Sequence, residues 1–328
     1  LRARPRIGIT LGDPGGIGAE VLLKALQGAT GRFVIFGSLR VLLHHSRKLK
    51  IPFDHPRVEF VDLDNVSKPF FGPAPEISGK ASIDYLDCAF EYFQRDKIDA
   101  LVTGPIHKES WHAAGFLYPG QTEYCAQKTG ASDYCMLMAG KRFRIGLLST
   151  HIALQDALGE VKRVRIAQKL RLLHKEFRKL GFEKPRIVCA ALNPHAGEKG
   201  AFGREEIEQI EPALKDVSRL GILVDGPIAP EVVFRLAANS KKWDVVLAMY
   251  HDQAMIPLKL LEFESSANVT LGLPLIRTSP DHGTAFDIAG CGIANPGSMI
   301  FAMRLAADWT KKRRLTTEAR RSRRYTEK

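Results

Sequence analysis

Short apolar runs alternate along the chain with longer amphipathic stretches, and this alternation predicts an α/β fold. Residues 6–11, 33–36, 58–63 and 100–102 read as strands, with helices over 15–27, 39–50 and 81–95. In the last of these helices Ile83, Leu86, Phe90 and Phe93 recur on one face. Residues 66–78, rich in Pro and Gly, read as a surface excursion. Further on, the runs 145–150, 187–192, 245–250 and 268–275 predict strands. Residues 161–180, 207–220, 230–238 and 296–309 predict helices. In the 161–180 helix, Val164, Ala167, Leu170, Leu173 and Phe177 form an apolar stripe, and the Lys and Arg positions form the solvated face. No repeat or low-complexity linker divides the chain. Residues 1–310 therefore read as a single unit of one large or two smaller α/β lobes, interleaved or tightly joined, and residues 311–328 as a basic C-terminal tail.

Three of the predicted strands run into histidine. The run 145–150 leads to His151, 187–192 leads through Asn193-Pro194 to His195, and 245–250 leads to His251-Asp252. In a parallel sheet the ligand crevice lies at the carboxyl ends of the strands, so three imidazoles in that topological place can converge there. Three neutral imidazoles with an open position make a catalytic divalent-metal site, suited to zinc, cobalt, nickel or iron, or in a more open form to magnesium or manganese.

Composition changes this picture little. At 328 residues with 45% hydrophobic positions, the chain can bury a substantial core. No apolar stretch reaches the roughly 20 residues of a membrane span. The basic start, residues 1–6, leads into a strand and not into a signal-peptide core. Five scattered cysteines (Cys88, Cys125, Cys135, Cys189, Cys291) form no CxxC pair and read as reduced, cytoplasmic thiols. The net charge of +12 points toward nucleic acid or anionic membrane, but residues 311–328 alone carry +7. That tail reads as a frayed, solvated extension of the last helix, and a nucleic-acid-binding or regulatory protein on a catalytically dead scaffold is a remote alternative. A phosphoacyl-transfer enzyme is another.

The segment Gly12-Asp13-Pro14-Gly15-Gly16-Ile17-Gly18 lies between a predicted strand and helix. Its amides could meet an anion, or it could be a tight turn where only glycine fits. It matches neither GxGxxG nor a P-loop, and residues 290–295 lack the last glycine of the dinucleotide fingerprint. Any dinucleotide is therefore bound by a non-Rossmann route.

Taken together, the blocks at 8–18, 103–109, 191–198, 250–253, 268–274 and 277–287 resemble the 4-hydroxythreonine-4-phosphate dehydrogenase family of pyridoxal phosphate biosynthesis, in order and over nearly the whole chain. The resemblance implies a two-lobed fold like isocitrate and isopropylmalate dehydrogenases, with the active site in an interlobe cleft at a homodimer interface. It implies NAD- or NADP-linked oxidation of 4-phosphooxy-L-threonine at C3, then decarboxylation to 3-amino-2-oxopropyl phosphate. One divalent ion (zinc, cobalt or magnesium) falls on His151, His195 and His251, and substrate contacts fall on Thr122, Lys259, Asn268 and Arg277. Asp252 and Lys108 are candidates for catalysis or ligand orientation, and Asp281, His282 and Gly283 for cofactor binding. No nucleic acid or membrane partner is implied.

One departure stands out. The family usually has His where this chain has Gln121, which keeps hydrogen-bonding capacity but cannot titrate near neutrality. Gln121 therefore either only positions the substrate or marks a different one: 4-phosphothreonate, 4-phosphoerythronate or an aromatic cis-dihydrodiol. A smaller departure is Cys291, where Lys is common.

Overall fold

The computed structural model describes residues 4–326; the first three residues of the basic start and the last two of the tail lie outside the described residues. The chain forms two compact units, Leu1–Ser132 with Leu273–Lys311, and Asp133–Gly272 with Lys312–Lys328.

The first unit opens with β1 (Arg6–Thr10), α1 (Gly18–Leu26), β2 (Arg32–Gly37), α2 (Leu39–Leu49) and β3 (Val58–Asp62). It continues with α3 (Pro75–Gln94), β4 (Ala100–Thr103), α4 (Lys108–Ala113) and α5 (Gln121–Thr129). Its strands run in the order β3-β2-β1-β4, all parallel, with β11 (Ile276–Pro280) parallel on β4. Ile7, Ile9, Leu101 and Val102 are wholly buried, as expected of a parallel sheet covered by helices on both faces. Thr10 is in register with Thr103, so the loops after β1 and β4 leave the sheet side by side. The Pro/Gly-rich excursion is shorter than its composition suggests. Pro75 takes the first helical position of α3, where its missing N–H leaves nothing unsatisfied.

The second unit contains β5 (Cys135–Gly140), β6 (Arg144–Leu147), α6 (Leu154–Glu160), α7 (Arg163–Lys179), β7 (Arg186–Ala190), α8 (Glu211–Ser218) and β8 (Leu223–Ile228). It ends with α9 (Pro230–Asn239), β9 (Val245–Ala248), α10 (His251–Glu262) and β10 (Ser266–Leu271). β6, β9, β7 and β8 are parallel neighbours, but β10–β5 and β5–β6 pair antiparallel. The sheet is thus mixed, where the alternation of apolar runs and helices predicts a parallel one, because β5 turns straight back into β6 through a short hairpin and needs no crossover helix. Met138, Ile145, Leu147, Val188, Val246 and Ala248 build its core. In α7 the predicted stripe is corrected at one position. Val164 is 72% exposed and Ile166 is buried, because positions 166, 170, 173 and 177 follow the i, i+4, i+7, i+11 spacing of one helix face.

The closing helix α11 runs from Gly297 to Thr326, well past the predicted end at 309. Its basic extension is not wholly solvated. Lys312 Nζ lies 5.9 Å from the centre of the Phe182 ring, and burial holds the Arg313 guanidinium below its ordinary pKa with Glu176 nearby. No helix among the described residues is long and apolar enough to cross a membrane.

Candidate active site

In the first unit, a buried arginine organises the carboxyl-terminal side of the sheet. Arg277, on β11, is 2% exposed. Its guanidinium donates to Thr103 Oγ1 at 2.5 Å, Gln121 Oε1 at 3.3 Å and Thr122 Oγ1 at 3.5 Å. These three partners are neutral acceptors. Burial lowers the Arg277 pKa, but from so far above neutrality that the group stays charged. A desolvated guanidinium oriented by hydroxyl and amide oxygens is a preformed receptor for carboxylate or phosphate. Gln121 at its edge is used at both ends: Oε1 accepts from Arg277, and Nε2 donates to Gly104 O at 2.9 Å. Lys108 lies beside it, with Cε 3.8 Å from where a Cβ on Gly120 would stand.

The glycine-rich loop is a turn and not an anion cradle. Gly15 N–H donates to Asp13 Oδ1 (2.9 Å), Gly16 N–H to Asp13 O (3.2 Å) and Ile17 N–H to Thr284 O (2.9 Å), so these amides are already satisfied. Gly12 has φ +76°, and a Cβ there would stand 2.2 Å from Pro105 O, so only glycine fits. The loop holds one group that the sequence reading did not single out. Asp13 is 2% exposed, and burial raises its pKa against the opposing bond from Gly15. Ser110 Oγ stands 3.5 Å from Asp13 Oδ2, and His107 Nδ1 lies 3.1 Å from Ser110 Oγ. Of the cofactor candidates, Asp281 N–H donates to Ser298 Oγ at 2.7 Å, and the His282 ring Nδ1 bonds Gly283 O at 3.0 Å, fixing the turn after β11.

The histidines belong to the second unit. His151 and His251 follow neighbouring strands, β6 and β9, whose ends are tied by Leu148 N–H to Ala248 O (2.9 Å) and Ser149 Oγ to Met249 O (2.9 Å). Their ring centres lie 5.4 Å apart. Gln253 joins the β9 and β7 ends, accepting from Met249 N–H and donating to Ala191 O, both at 2.7 Å. His195 sits in an unusual backbone. Residues His195, Ala196, Glu198 and Lys199 have φ of 52°, 55°, 38° and 56°, with Gly197 at 76°. Each non-glycine residue in this left-handed region is strained by roughly 1–2 kcal/mol. Glu206 braces the entry to this turn: one carboxylate oxygen accepts from Leu192 N–H and Asn193 N–H at 2.8 Å, the other from Asn193 Nδ2 at 2.9 Å.

The three rings do not yet stand as one cluster. Among the described residues, no group of three or more His, Cys, Asp or Glu side chains is placed to hold a metal ion. Two of the three, however, have a carboxylate against the ring Nδ1. His251 Nδ1 pairs with Asp252 Oδ1 at 2.7 Å, and His195 Nδ1 with Glu231 Oε1 at 3.1 Å. A carboxylate on Nδ1 leaves Nε2 as the lone-pair nitrogen, the usual support of a metal-binding histidine. Glu231, in the first turn of α9, was not legible in the sequence, because nothing in its spacing ties it to His195. Lys259 and Asn268 also belong to this unit. Lys259 Nζ lies 5.1 Å from the Phe263 ring centre, and Asn268 Oδ1 is buried with no hydrogen-bond partner.

A charged receptor for an anion and a set of carboxylate-oriented histidines, each at strand ends of an α/β fold, describe an enzyme acting on an anionic substrate. The profile of the pyridoxal phosphate biosynthetic protein PdxA family matches residues 29–306, and the chain belongs to that family. It is 44% identical to 4-hydroxythreonine-4-phosphate dehydrogenase of Aquifex aeolicus over 92% of this chain and 98% of that protein. It is 39% identical to D-threonate 4-phosphate dehydrogenase of Salmonella typhimurium over 92% of this chain and 97% of that protein. A crystal structure of 4-hydroxythreonine-4-phosphate dehydrogenase from Klebsiella pneumoniae superposes with a TM-score of 0.84 at 35% identity, covering 93% of this chain and 99% of that one.

Proposed function

We propose that this chain oxidises 4-phosphooxy-L-threonine at C3, passing hydride to NAD or NADP, and that the resulting β-keto acid loses CO2 to give 3-amino-2-oxopropyl phosphate on the route to pyridoxal 5′-phosphate. The observation that carries this reading is Arg277, a fully desolvated cation among neutral acceptors. Arg277 and the Thr122 hydroxyl bind one anionic end of the substrate, and Gln121 holds the guanidinium plane in place. Lys259 neutralises a second anionic group, and Asn268 offers its buried Oδ1 to a substrate donor. Lys108 adds positive charge beside Gln121, and Asp281, His282 and Gly283 would bind the nicotinamide cofactor.

His151, His195 and His251 would hold one divalent ion, zinc, cobalt or magnesium, with Glu231 and Asp252 fixing the tautomers of two of them. Such an ion lowers the pKa of the substrate hydroxyl and stabilises negative charge on that oxygen. A homodimer with shared active sites completes the reading. Ile256 and Leu260 of helix α10 and Phe263 just after it are 61, 80 and 69% exposed, an apolar face suited to a second copy. The five cysteines are free, in keeping with a cytoplasmic enzyme.

The test is formation of NADH or NADPH, with CO2 release, from 4-phosphooxy-L-threonine in the presence of each metal. Absence of turnover with every cofactor and metal overturns the assignment. Gln121 favours one second reading, D-threonate 4-phosphate as the better substrate. A higher kcat/KM on that compound, without decarboxylation of 4-phosphooxy-L-threonine, would select it.

A further inference from the structure

The opposite, amino-terminal edge of the first unit's sheet carries a row of arginines. Arg6 opens β1 and Arg32 opens β2, and the two are register partners. Arg57 precedes Val58, the partner of Phe33, and its carbonyl accepts from Phe33 N–H at 3.0 Å, so Arg57 stands opposite Arg32. Three guanidinium-bearing residues thus occupy one rung of three adjacent strands, about 4.8 Å apart and on one face. Arg4 joins them. Its Nη1 and that of Arg57 both donate to Thr30 O, the latter at 3.0 Å, so two cations converge on a single carbonyl. Arg6 is likewise held by a carbonyl, that of Asp96. Glu59 lines the same cleft and the Asp99 carboxylate accepts from Arg6 N–H at 2.7 Å, but among the described residues no carboxylate forms an ion pair with the side chain of any of the four. Like charges directly opposite across strands destabilise a sheet, so this row carries a standing repulsion. The arginines surround a cleft of about 590 Å³ whose floor includes Phe33 and Val34.

We propose that this cleft is a binding site for a linear anion carrying two or more phosphate groups, as in an inorganic or nucleoside triphosphate. A row of guanidinium groups matches successive phosphates through paired hydrogen bonds, whereas one orthophosphate can engage only part of it. The five residues of β1 separate this edge from the loop at Gly12, so the site is distinct from Arg277 and its partners.

Isothermal titration of the whole protein with tripolyphosphate, ATP and orthophosphate tests the assignment. Tripolyphosphate is expected to bind at one site per chain, at least tenfold more tightly than orthophosphate. The double variant Arg32→Gln/Arg57→Gln should bind it at least tenfold more weakly while keeping wild-type dehydrogenase turnover. Tripolyphosphate should also raise the melting temperature of wild type and not that of the double variant. The control is Arg277→Lys, which should bind tripolyphosphate as wild type does. Tighter binding of ATP than of tripolyphosphate identifies a nucleotide as the ligand, and equal binding identifies the phosphate chain alone; both support the site. Loss of binding in Arg277→Lys with retention in the double variant would place the anion at the substrate site and overturn the proposal. So would retention of a single-stranded oligonucleotide with no binding of either triphosphate.

Discussion

The two units solve opposite electrostatic problems. In the first, a permanent cation, Arg277, is buried at 2% exposure and every named partner is already in place. In the second, the histidines stay accessible: the His195 side chain is 68% exposed and held on a strained left-handed turn. A buried guanidinium has to be satisfied before the anion arrives, since an unpaired charge in the interior is very unfavourable. A metal ligand has to be neutral and reachable, and an arriving ion can draw the last ring into place. The Nη contacts of Arg277 are therefore in place in the ligand-free fold, while the histidine set is only oriented.

This contrast can be broken most severely at the histidines. Replacing His195 or His251 by Ala should leave a folded protein that neither retains a divalent ion nor turns over, because two ligands do not hold the ion in an activating geometry. Elemental analysis and light scattering on the same sample check this. At the other unit, Arg277→Lys keeps the charge and loses the planar fork. It should lower kcat/KM by roughly 30- to 100-fold, or about 2–3 kcal/mol, the value of a charged hydrogen bond, with metal content unchanged.

A third prediction concerns stability. His45 is wholly buried with both ring nitrogens unpartnered, and burial, opposed by Glu20 and aided by His44 and Lys48, lowers its pKa to about 4. The folded value lies below the unfolded one, so the unfolded chain binds the proton more readily. Stability is then full above about pH 6.5 and is lost as pH falls toward 4, by an amount on the order of 3 kcal/mol. Urea melts at pH 7 and pH 5 should show this loss in wild type and a smaller loss in His45→Leu.

The smallest effect is expected at Gln121. If its carboxamide only holds Arg277 and Gly104 O, then Gln121→His should change kcat/KM by less than about tenfold, roughly 1.4 kcal/mol, and add a pH dependence near 6 to 7. A gain far above tenfold on 4-phosphooxy-L-threonine would instead mark Gln121 as a determinant of substrate choice.

What was legible in the sequence follows the same division. The strands ending at His151, His195 and His251 were readable because uninterrupted apolar runs announce buried strands, and the loop that follows is where a parallel sheet places its chemistry. The α/β class was readable for the same reason. The β5–β6 hairpin was missed, because a short buried strand looks the same whichever way its neighbour runs. Helices α4, α5 and α6 were missed because six to nine residues carry too little periodicity. Glu231, Glu206 and Gln253, which hold the histidine strands and one ring, were invisible because each has a partner 13 or more residues away that no local spacing reveals. The glycine loop was ambiguous until the bonds to Asp13 and Thr284 O showed where its amides go.

The division of labour between the units is tested most directly by measuring metal stoichiometry and 4-phosphooxy-L-threonine affinity on the same preparations of His195→Ala and Arg277→Met. His195→Ala should lose the ion yet still bind the substrate, more weakly, and Arg277→Met should keep the ion and lose the substrate. Full metal occupancy in His195→Ala, or undiminished substrate affinity in Arg277→Met, would contradict it.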